Sequence, residues 1–265
     1  MAELHIVVCV KVVPKAEEIR VDPETRLLER TNARSEINPP DMNAMEMALS
    51  LKDRYGGHIS LLSMGPSFFE PNLRVALAMG ADHIYLLSDQ AFAGADTLAT
   101  TYTLAQGIRK IGDVDLILCG EESSDGATGQ VPPGIAEWLD IRQLTLLTEA
   151  TINQNHRSAR GRREIKGGYE ILEVSLPCVI SVKTACNEPR FMDYSLRSWA
   201  LEEDRVTVWD AGDLETDPGN IGLAGSPTIV TGLAEAPYRE RRRDFLEGTD
   251  EEVVQQLVNL LQRES

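Results

Sequence analysis

Apolar segments short enough to be strands alternate with segments of helical periodicity through the first half of the chain. The apolar segments are nearly continuous, which is typical of strands buried on both faces of a parallel sheet. They are 4–10, 58–64, 83–87 and 114–118. The helical segments are about 41–54, 69–79 and 95–111. This alternation predicts an α/β fold with a doubly wound, mostly parallel sheet of the Rossmann or flavodoxin type, with ligands at the carboxyl ends of its strands.

Strands follow one another without long helices in the next part of the chain. The predicted strands are 144–152, 162–165, 169–176 and 178–182. Gly167 and Gly168 lie between two of them, at the place of a hairpin turn. We expect these strands to extend the sheet in antiparallel fashion. The polar segment 18–30 is predicted to form a short hairpin outside the core.

Dense periodicity is lost from about residue 204 and returns near the C-terminus. There, 249–252 reads Thr-Asp-Glu-Glu, a capping box, and apolar residues follow it at helical spacing. An amphipathic helix of this kind needs a surface to cover. We therefore predict one domain over 1–203 and a C-terminal arm over 204–265, whose helix packs on a partner subunit.

The loop at 119–134 reads CGEESSDGATGQVPPG and leads from a strand into a helix. Small side chains let a ligand approach the backbone, and free amides at a helix N-terminus attract anions such as a pyrophosphate. The loop has neither G-x-G-x-x-G nor a lysine after its glycines, so it is not a dinucleotide fingerprint or a P-loop. It predicts a nucleotide-phosphate site, with an ordinary strand–helix turn as the alternative.

Candidate ligand groups lie in this loop and in two further loops at the same sheet edge. The proposed phosphate donors are Ser123, Ser124, Thr128 and the amides near Gly126 and Gly129, while Asp125 suits a ribose hydroxyl or a helix cap. The segment 38–41, Asn-Pro-Pro-Asp, is explained adequately as a helix start, yet its backbone is also placed to contact a base. The segment 92–97 is either a helix start or a floor for a planar ring.

Charge and composition exclude several classes of function. The 265 residues carry a formal net charge of −16, which repels DNA, RNA and anionic lipid. A basic cluster at 239–243 is the exception, and it suits a linker or an intersubunit contact. The four cysteines and four histidines have no metal-ligand spacing. No apolar segment approaches the roughly 18 residues of a membrane span, and the chain enters its first strand without a signal-like segment, so we expect a cytoplasmic protein.

These residues together resemble the β subunit of an electron transfer flavoprotein over nearly the whole chain. The segments that carry the resemblance are 8–11, 37–39, 76–82, 120–134, 167–168 and 187–191. Each is a weak signal alone, whereas their order and spacing are specific. The resemblance implies a nucleotide-binding α/β fold, paired with an α subunit that holds a redox-active FAD.

Within this family, the resemblance implies one of two ligands for the β subunit. The ordinary carrier binds AMP as a structural ligand, whereas in electron-bifurcating members the same pocket holds a second FAD that accepts hydride from NADH. The segments 91–100, 41–44 and 125–126 resemble the bifurcating type. Ala127 and Pro132 depart from it, since an acidic residue and a glycine are usual there, and this would alter phosphate contacts or the flavin potential.

The resemblance also implies which residues form the sites. Adenosine would contact Cys9, 38–41 and Met64, the pyrophosphate 125–131, and the flavin ring 92–97. The implied cofactor-binding residues are Cys9, Asn38, Pro39, Pro40, Asp41, Met64, Phe92, Ala93, Gly94, Ala95, Asp96, Thr97, Gly120, Ser124, Asp125, Gly126, Ala127, Thr128, Gly129, Gln130 and Val131.

The implied partners are the α subunit and an acyl-CoA-type dehydrogenase or quinone reductase, with ferredoxin as a further candidate. The loop 187–197 would dock the dehydrogenase, and Arg190 and Leu196 are the candidates for that contact. Two alternatives to the bifurcating type stay open. One is the ordinary carrier with AMP, and the other is a lone nucleotide-binding regulatory domain without a flavin partner.

Overall fold

The computed structural model describes residues 3–15, 20–21, 28–29, 34–153, 155, 157–184, 186–229 and 245–263. The helices are α1 (Pro39–Tyr55), α2 (Glu70–Met79), α3 (Thr97–Ile111), α4 (Val131–Leu139) and α5 (Asp250–Arg263). The strands are β1 (His5–Cys9), β2 (Val12–Pro14), β3 (Arg20–Val21), β4 (Leu28–Glu29), β5 (Ser35–Ile37), β6 (His58–Met64), β7 (His83–Leu87), β8 (Leu116–Gly120), β9 (Arg142–Ile152), β10 (Ser158–Ile165), β11 (Gly168–Ser175), β12 (Cys178–Val182) and β13 (Val206–Trp209).

Nine of these strands form one sheet in the order β11-β10-β9-β12-β8-β1-β6-β7-β13. Every neighbouring pair from β9 to β13 in that order is parallel, and β10 is antiparallel to both β9 and β11. The predicted α/β class with a doubly wound, mostly parallel sheet and an antiparallel extension is therefore confirmed. Strands β2 and β5 pair separately, as do β3 and β4, while most of the predicted hairpin 18–30 lies outside the described residues.

The expectation that all late strands are antiparallel is wrong for β9 and β12. Strand β12 lies between β8 and β9 and is parallel to both. All five residues of β12 are buried, as in a central strand covered on both faces. Helix α4 connects β8 to β9, and a helical crossover leaves the strands that it joins parallel. The antiparallel pairs of this sheet are β9 with β10 and β10 with β11.

Two apolar cores cover the two faces of the sheet. Along β1, Ile6 and Val8 pack in one core with α1 and α2, while Val7 and Cys9 pack in the other with α3 and α4. This alternation follows from the two-residue period of a strand. It places Cys9 on the face that α3 and α4 cover.

The chain divides into two compact units, 1–231 and 232–265. Strand β13 pairs in parallel with β7 at the sheet edge, so the segment after residue 203 begins as part of the sheet. In the second unit, the carboxylate of Glu252 accepts hydrogen bonds from the backbone N–H of Thr249 (2.9 Å) and its hydroxyl (3.1 Å), as expected of the capping box. No helix in the described ranges has both the length and the apolar character needed to cross a bilayer.

Candidate functional site

A cavity of about 460 Å³ lies at the carboxyl ends of β1, β6 and β8. Strand β1 lies between β6 and β8, and the helices change faces here, with α1 on one side of the sheet and α3 on the other. This is the topological switch point at which open α/β sheets bind ligands. The structure therefore has a cavity of ligand-pocket size where the strand pattern predicts one.

The predicted site residues divide between the cavity wall and its surroundings. Those that line the cavity are Cys9, Asp41, Met64, Ala95, Asp96, Thr97, Gly120, Gly126, Thr128, Gly129 and Val131. Those that lie outside the lining are Asn38, Pro39, Pro40, Phe92, Ala93, Gly94, Ser124, Asp125, Ala127 and Gln130. Ser123, proposed as a phosphate donor, also lines the cavity, and the lining residues that were not proposed as ligand groups are Val10, Lys11, Thr100, Leu104, Cys119, Glu121, Glu122 and Pro132.

Asp41 connects the carboxyl ends of β1 and β8. Its carboxylate accepts hydrogen bonds from the backbone N–H of Lys11, at 2.8 Å, and from that of Gly120, at 3.2 Å. A Cβ on Gly120 would lie 2.4 Å from Oδ1 of Asp41, so this close approach requires glycine. Burial raises the pKa of Asp41 to about 7, although these hydrogen bonds oppose the rise.

Asn38 fixes the start of loop 120–134 from outside the cavity lining. Its Nδ2 donates to the carbonyl of Glu122 at 2.9 Å, and its Oδ1 accepts from the N–H of Ser124 at 3.0 Å. The side chain is fully buried. Pro39 and Pro40 follow at the first positions of α1, where a missing N–H costs no helical hydrogen bond. Asn38 thus positions the loop.

A salt bridge ties loop 120–134 to the end of β1. The ammonium of Lys11 lies 2.6 Å from Oδ1 of Asp125. Burial acts to raise the pKa of Asp125, but the hydrogen bond and charge of Lys11 outweigh it and hold that pKa below its ordinary value. The pair links positions that are 114 residues apart in sequence and gives the loop a fixed cation.

The loop also supplies backbone donors. Gly129 has φ of 62°, and Ala127, without glycine's freedom, has φ of 46°. Among the described residues no hydrogen bond joins the amides of Thr128, Gly129 or Val131 to another group, which suits an anion. The expected contribution of the α4 N-terminus is smaller than the pattern suggested, because two prolines, Pro132 and Pro133, occupy its first turn and have no N–H.

Of the turn 92–97, the residues that line the cavity are Ala95, Asp96 and Thr97. Phe92 is buried in the core with Tyr102 and Ile221, and Ala93 and Gly94 are exposed outside the lining. The carboxylate of Asp96 caps α3, accepting from the N–H of Leu98 at 2.9 Å and of Ala99 at 3.2 Å. The cap of α3 and part of the cavity wall therefore coincide in Ala95–Thr97, while the ring floor stays a prediction.

Both buried thiols and carboxylates line the cavity. Cys9 and Cys119 are register partners on β1 and β8, and contact between the thiols, together with burial, holds the pKa of Cys119 well above its ordinary value. At the rim, the carboxylate of Glu121 accepts from Nζ of Lys183 at 2.6 Å and from the N–H of Thr184 at 2.9 Å. Burial opposes ionisation of Glu121, but Lys183 outweighs it and lowers that pKa.

Helix α1 also holds the predicted partner loop, 187–197. Nδ2 of Asn43 donates to the carbonyl of Asn187 at 2.9 Å, and Nδ2 of Asn187 donates to the carbonyl of Asn43 at 3.0 Å. Arg190 binds Glu46, one turn further along α1. Leu196 is half-buried, whereas Phe191 is 97% exposed. The loop is therefore anchored at its start and exposes apolar side chains beyond it.

The sequence matches known proteins over nearly its whole length. The electron transfer flavoprotein domain matches residues 25–212. The electron transfer flavoprotein subunit beta of Thermoanaerobacterium thermosaccharolyticum is 41% identical over 97% of this chain and 98% of its own. Protein FixA of Azorhizobium caulinodans is 44% identical over 86% of this chain and 83% of its own. The caffeyl-CoA reductase-Etf complex subunit CarD of Acetobacterium woodii is 39% identical over 97% of this chain and 98% of its own. The chain belongs to the electron transfer flavoprotein beta subunit family.

Proposed function

We propose that this chain is the β subunit of a heterodimeric electron transfer flavoprotein that binds FAD in the cavity and takes electrons from NADH. By flavin-based bifurcation it passes them to the FAD of the α subunit and to a partner dehydrogenase. The observation that carries the proposal is the cavity of about 460 Å³ at the switch point of the sheet. The salt-bridged Lys11 and the amides of loop 120–134 adjoin it, and these are donors for a pyrophosphate.

Bound FAD supplies hydride acceptance and onward electron transfer, and the chain's residues bind and orient it. Cys9, Asp41 and Met64 form the wall for adenosine. Lys11 and the amides of residues 128–131 hold the phosphates. Ala95–Thr97, at the start of α3, form the wall for the flavin ring. Burial raises the pKa of the Cys119 thiol and raises that of Asp41 to about 7, which lowers the negative charge that these two buried groups place beside a bound anion.

The partners follow from the family. The α subunit is the first, and the C-terminal arm is the segment that we assign to it. The relative CarD is named as a subunit of a caffeyl-CoA reductase-Etf complex, which supports an acyl-CoA-type dehydrogenase as the electron acceptor here. A quinone reductase is the alternative acceptor, with ferredoxin as a second one. The cytoplasmic location expected from the sequence belongs to the same proposal.

The ordinary carrier with AMP is the second candidate. Pro132 and Pro133 remove two amide donors from the first turn of α4, next to the phosphate loop. Fewer donors suit one phosphate better than two. In that case the chain would orient AMP as a structural ligand and would not itself exchange electrons with NADH.

Anaerobic mixing of the heterodimer with NADH tests the proposal. We expect the visible flavin absorbance to bleach, because the cavity holds a flavin that NADH reaches. A heterodimer reconstituted with FAD on the α subunit and AMP in place of the second FAD is the control, and it should stay oxidised. A native heterodimer that also stays oxidised would refute electron entry at this subunit.

A further inference from the structure

Residues 221–228, here called the strap, lie against the turn 91–96 that leads into the cavity wall. Ile221 is buried in the same core cluster as Phe92. Gly222 has φ of 52°, and a Cβ there would lie 2.1 Å from the carbonyl oxygen of Ala91. Gly222 therefore meets two requirements for glycine, a left-handed backbone and a close approach. The strap and the turn are packed backbone against backbone.

Hydrogen bonds fasten the strap to Asp96, which lines the cavity. The hydroxyl of Thr228 donates to Oδ2 of Asp96 at 2.7 Å, and its backbone N–H donates to the same oxygen at 3.1 Å. The N–H of Asp96 donates to Oγ of Ser226 at 2.8 Å. Ser226 is itself held, since its hydroxyl reaches the carbonyl of Gly222 at 2.7 Å.

The two carboxylate oxygens of Asp96 therefore serve two different elements. Oδ1 caps the N-terminus of α3, whose first turn lines the cavity, and Oδ2 receives both donors of Thr228. Burial acts to raise the pKa of Asp96, but the hydrogen bonds of Thr228 and the amides outweigh it and hold that pKa below its ordinary value. A charged acceptor makes each of these hydrogen bonds stronger.

The strap also leads directly to the C-terminal unit. Thr228 lies three positions before Thr231, where the first compact unit ends. The C-terminal unit is the part that the proposed function assigns to contact with the α subunit, and this inference rests on that assignment. Within the first unit, the hydrogen bond from the hydroxyl of Thr228 to the carboxylate of Asp96 connects the end of the strap to the cavity wall.

We propose that Thr228 is a positioning residue for the nucleotide cavity, and that through it nucleotide binding and α-subunit association are thermodynamically linked. An ordered Asp96 presets the wall Ala95–Thr97 for the nucleotide, and docking of the C-terminal unit orders the strap. Linkage is reciprocal, so the nucleotide tightens the heterodimer by the same factor by which the α subunit tightens nucleotide binding.

The test compares the dissociation constant of the full-length heterodimer with and without saturating FAD, and then with AMP. For the wild type we expect the nucleotide to tighten association by about fivefold or more. Thr228→Ser keeps the hydroxyl and should keep this ratio. Thr228→Val, which has the same shape without the hydroxyl, should bring the ratio close to one, and Ser226→Ala should lower it.

Thr148→Val is the matched control, because the hydroxyl of Thr148 donates to the carbonyl of Arg162 in the β9–β10 pair, at 3.2 Å. It should keep the wild-type ratio. A general folding defect in Thr228→Val would weaken the heterodimer equally with and without nucleotide, so the ratio of the two dissociation constants would stay at the wild-type value. That result would overturn the proposal. A ratio of one for the wild type would overturn it as well. If only AMP binds, the proposed FAD chemistry fails, while the ratio measured with AMP still decides the linkage.

Discussion

The guanidinium of Arg190 binds the carboxylate of Glu46 at two points, with Nε 2.9 Å from Oε2 and Nη2 2.9 Å from Oε1. The backbone N–H of Arg190 adds a third contact with Oε2, at 2.9 Å. The sequence pointed to Arg190 as a direct partner contact. In the fold, its side chain anchors loop 187–197 to α1, and the exposed large apolar side chains of that loop are Phe191, Met192 and Tyr194. The role of the loop in docking stays a prediction, and in it Arg190 would hold the loop in place and would not contact the partner itself.

Glu46→Gln should weaken docking of the partner dehydrogenase. The substitution removes the charge that orders the start of the loop, and a lost charge-assisted hydrogen bond of this kind costs about 1–2 kcal/mol. We expect the dissociation constant for the dehydrogenase to rise several-fold, as measured by titration calorimetry. Asp53→Asn is the control, since Asp53 contacts only the outer side of Arg190, at 2.8 Å, and is itself exposed. Equal effects of the two substitutions would contradict the anchor.

Lys11→Gln should weaken nucleotide retention. Lys11 lines the cavity and is held beside the phosphate loop by Asp125. Loss of one ammonium–phosphate contact should raise the dissociation constant about tenfold. Lys15→Gln removes an equal charge whose ammonium pairs with Glu36 at 3.6 Å, and Lys15 is not among the cavity-lining residues. Nucleotide remaining after gel filtration should fall for the first substitution and not for the second. A larger loss of nucleotide for Lys15→Gln than for Lys11→Gln would contradict the assignment of Lys11 to the phosphates.

Asp41 should make the heterodimer's stability depend on pH. The pKa of its carboxyl rises from 3.8 to about 7 on folding, so between these values the folded state binds more protons than the unfolded state. The free energy of unfolding therefore falls as pH rises from about 4 to 7, by up to about 1.4 kcal/mol per pH unit, and stays reduced above that range. Asp41→Asn should abolish this contribution. Urea unfolding at several pH values measures it, and parallel profiles for the two proteins would contradict it.

Ala127 tests the strain in the phosphate loop. Its φ of 46° lies in the left-handed region, which costs a residue with a Cβ about 1–2 kcal/mol. Ala127→Gly removes that cost from the folded state, but glycine also raises the conformational entropy of the unfolded chain, which offsets part of the gain. We therefore expect the free energy of unfolding to stay unchanged or to rise by up to about 1 kcal/mol. Ala127→Val should lower stability by about 1–3 kcal/mol and weaken nucleotide binding. Thermal unfolding that ranks valine at or above alanine would show that the loop is unstrained.

The sequence was sufficient for the elements whose pattern is local. Strands β6, β7 and β12 match their predicted ranges, because continuous apolar residues bounded by turns leave little choice. The direction of β12 was not predictable in this way. It depends on insertion between β8 and β9, and strand pairing of this kind is set by the whole sheet.

The site was predictable to the extent that strand ends define it. The loop 120–134 and Asp41 follow from the rule that ligands bind where the strand order reverses. Lys11 was missed as a site residue because its relation to Asp125 spans 114 positions. The small residues beside Phe92 favour a ring floor, yet Phe92 packs with Ile221, which lies where the pattern predicts neither helix nor strand. The Asp96–Thr228 contact has the same long-range origin.

Counting the cofactors released from the purified heterodimer separates an FAD-binding subunit from an AMP-binding one. After denaturation, the nucleotides are separated and quantified against protein concentration. We expect two FAD and no AMP for each heterodimer, because we propose that the cavity of this subunit holds the second flavin. One FAD and one AMP, or one FAD alone, would contradict it.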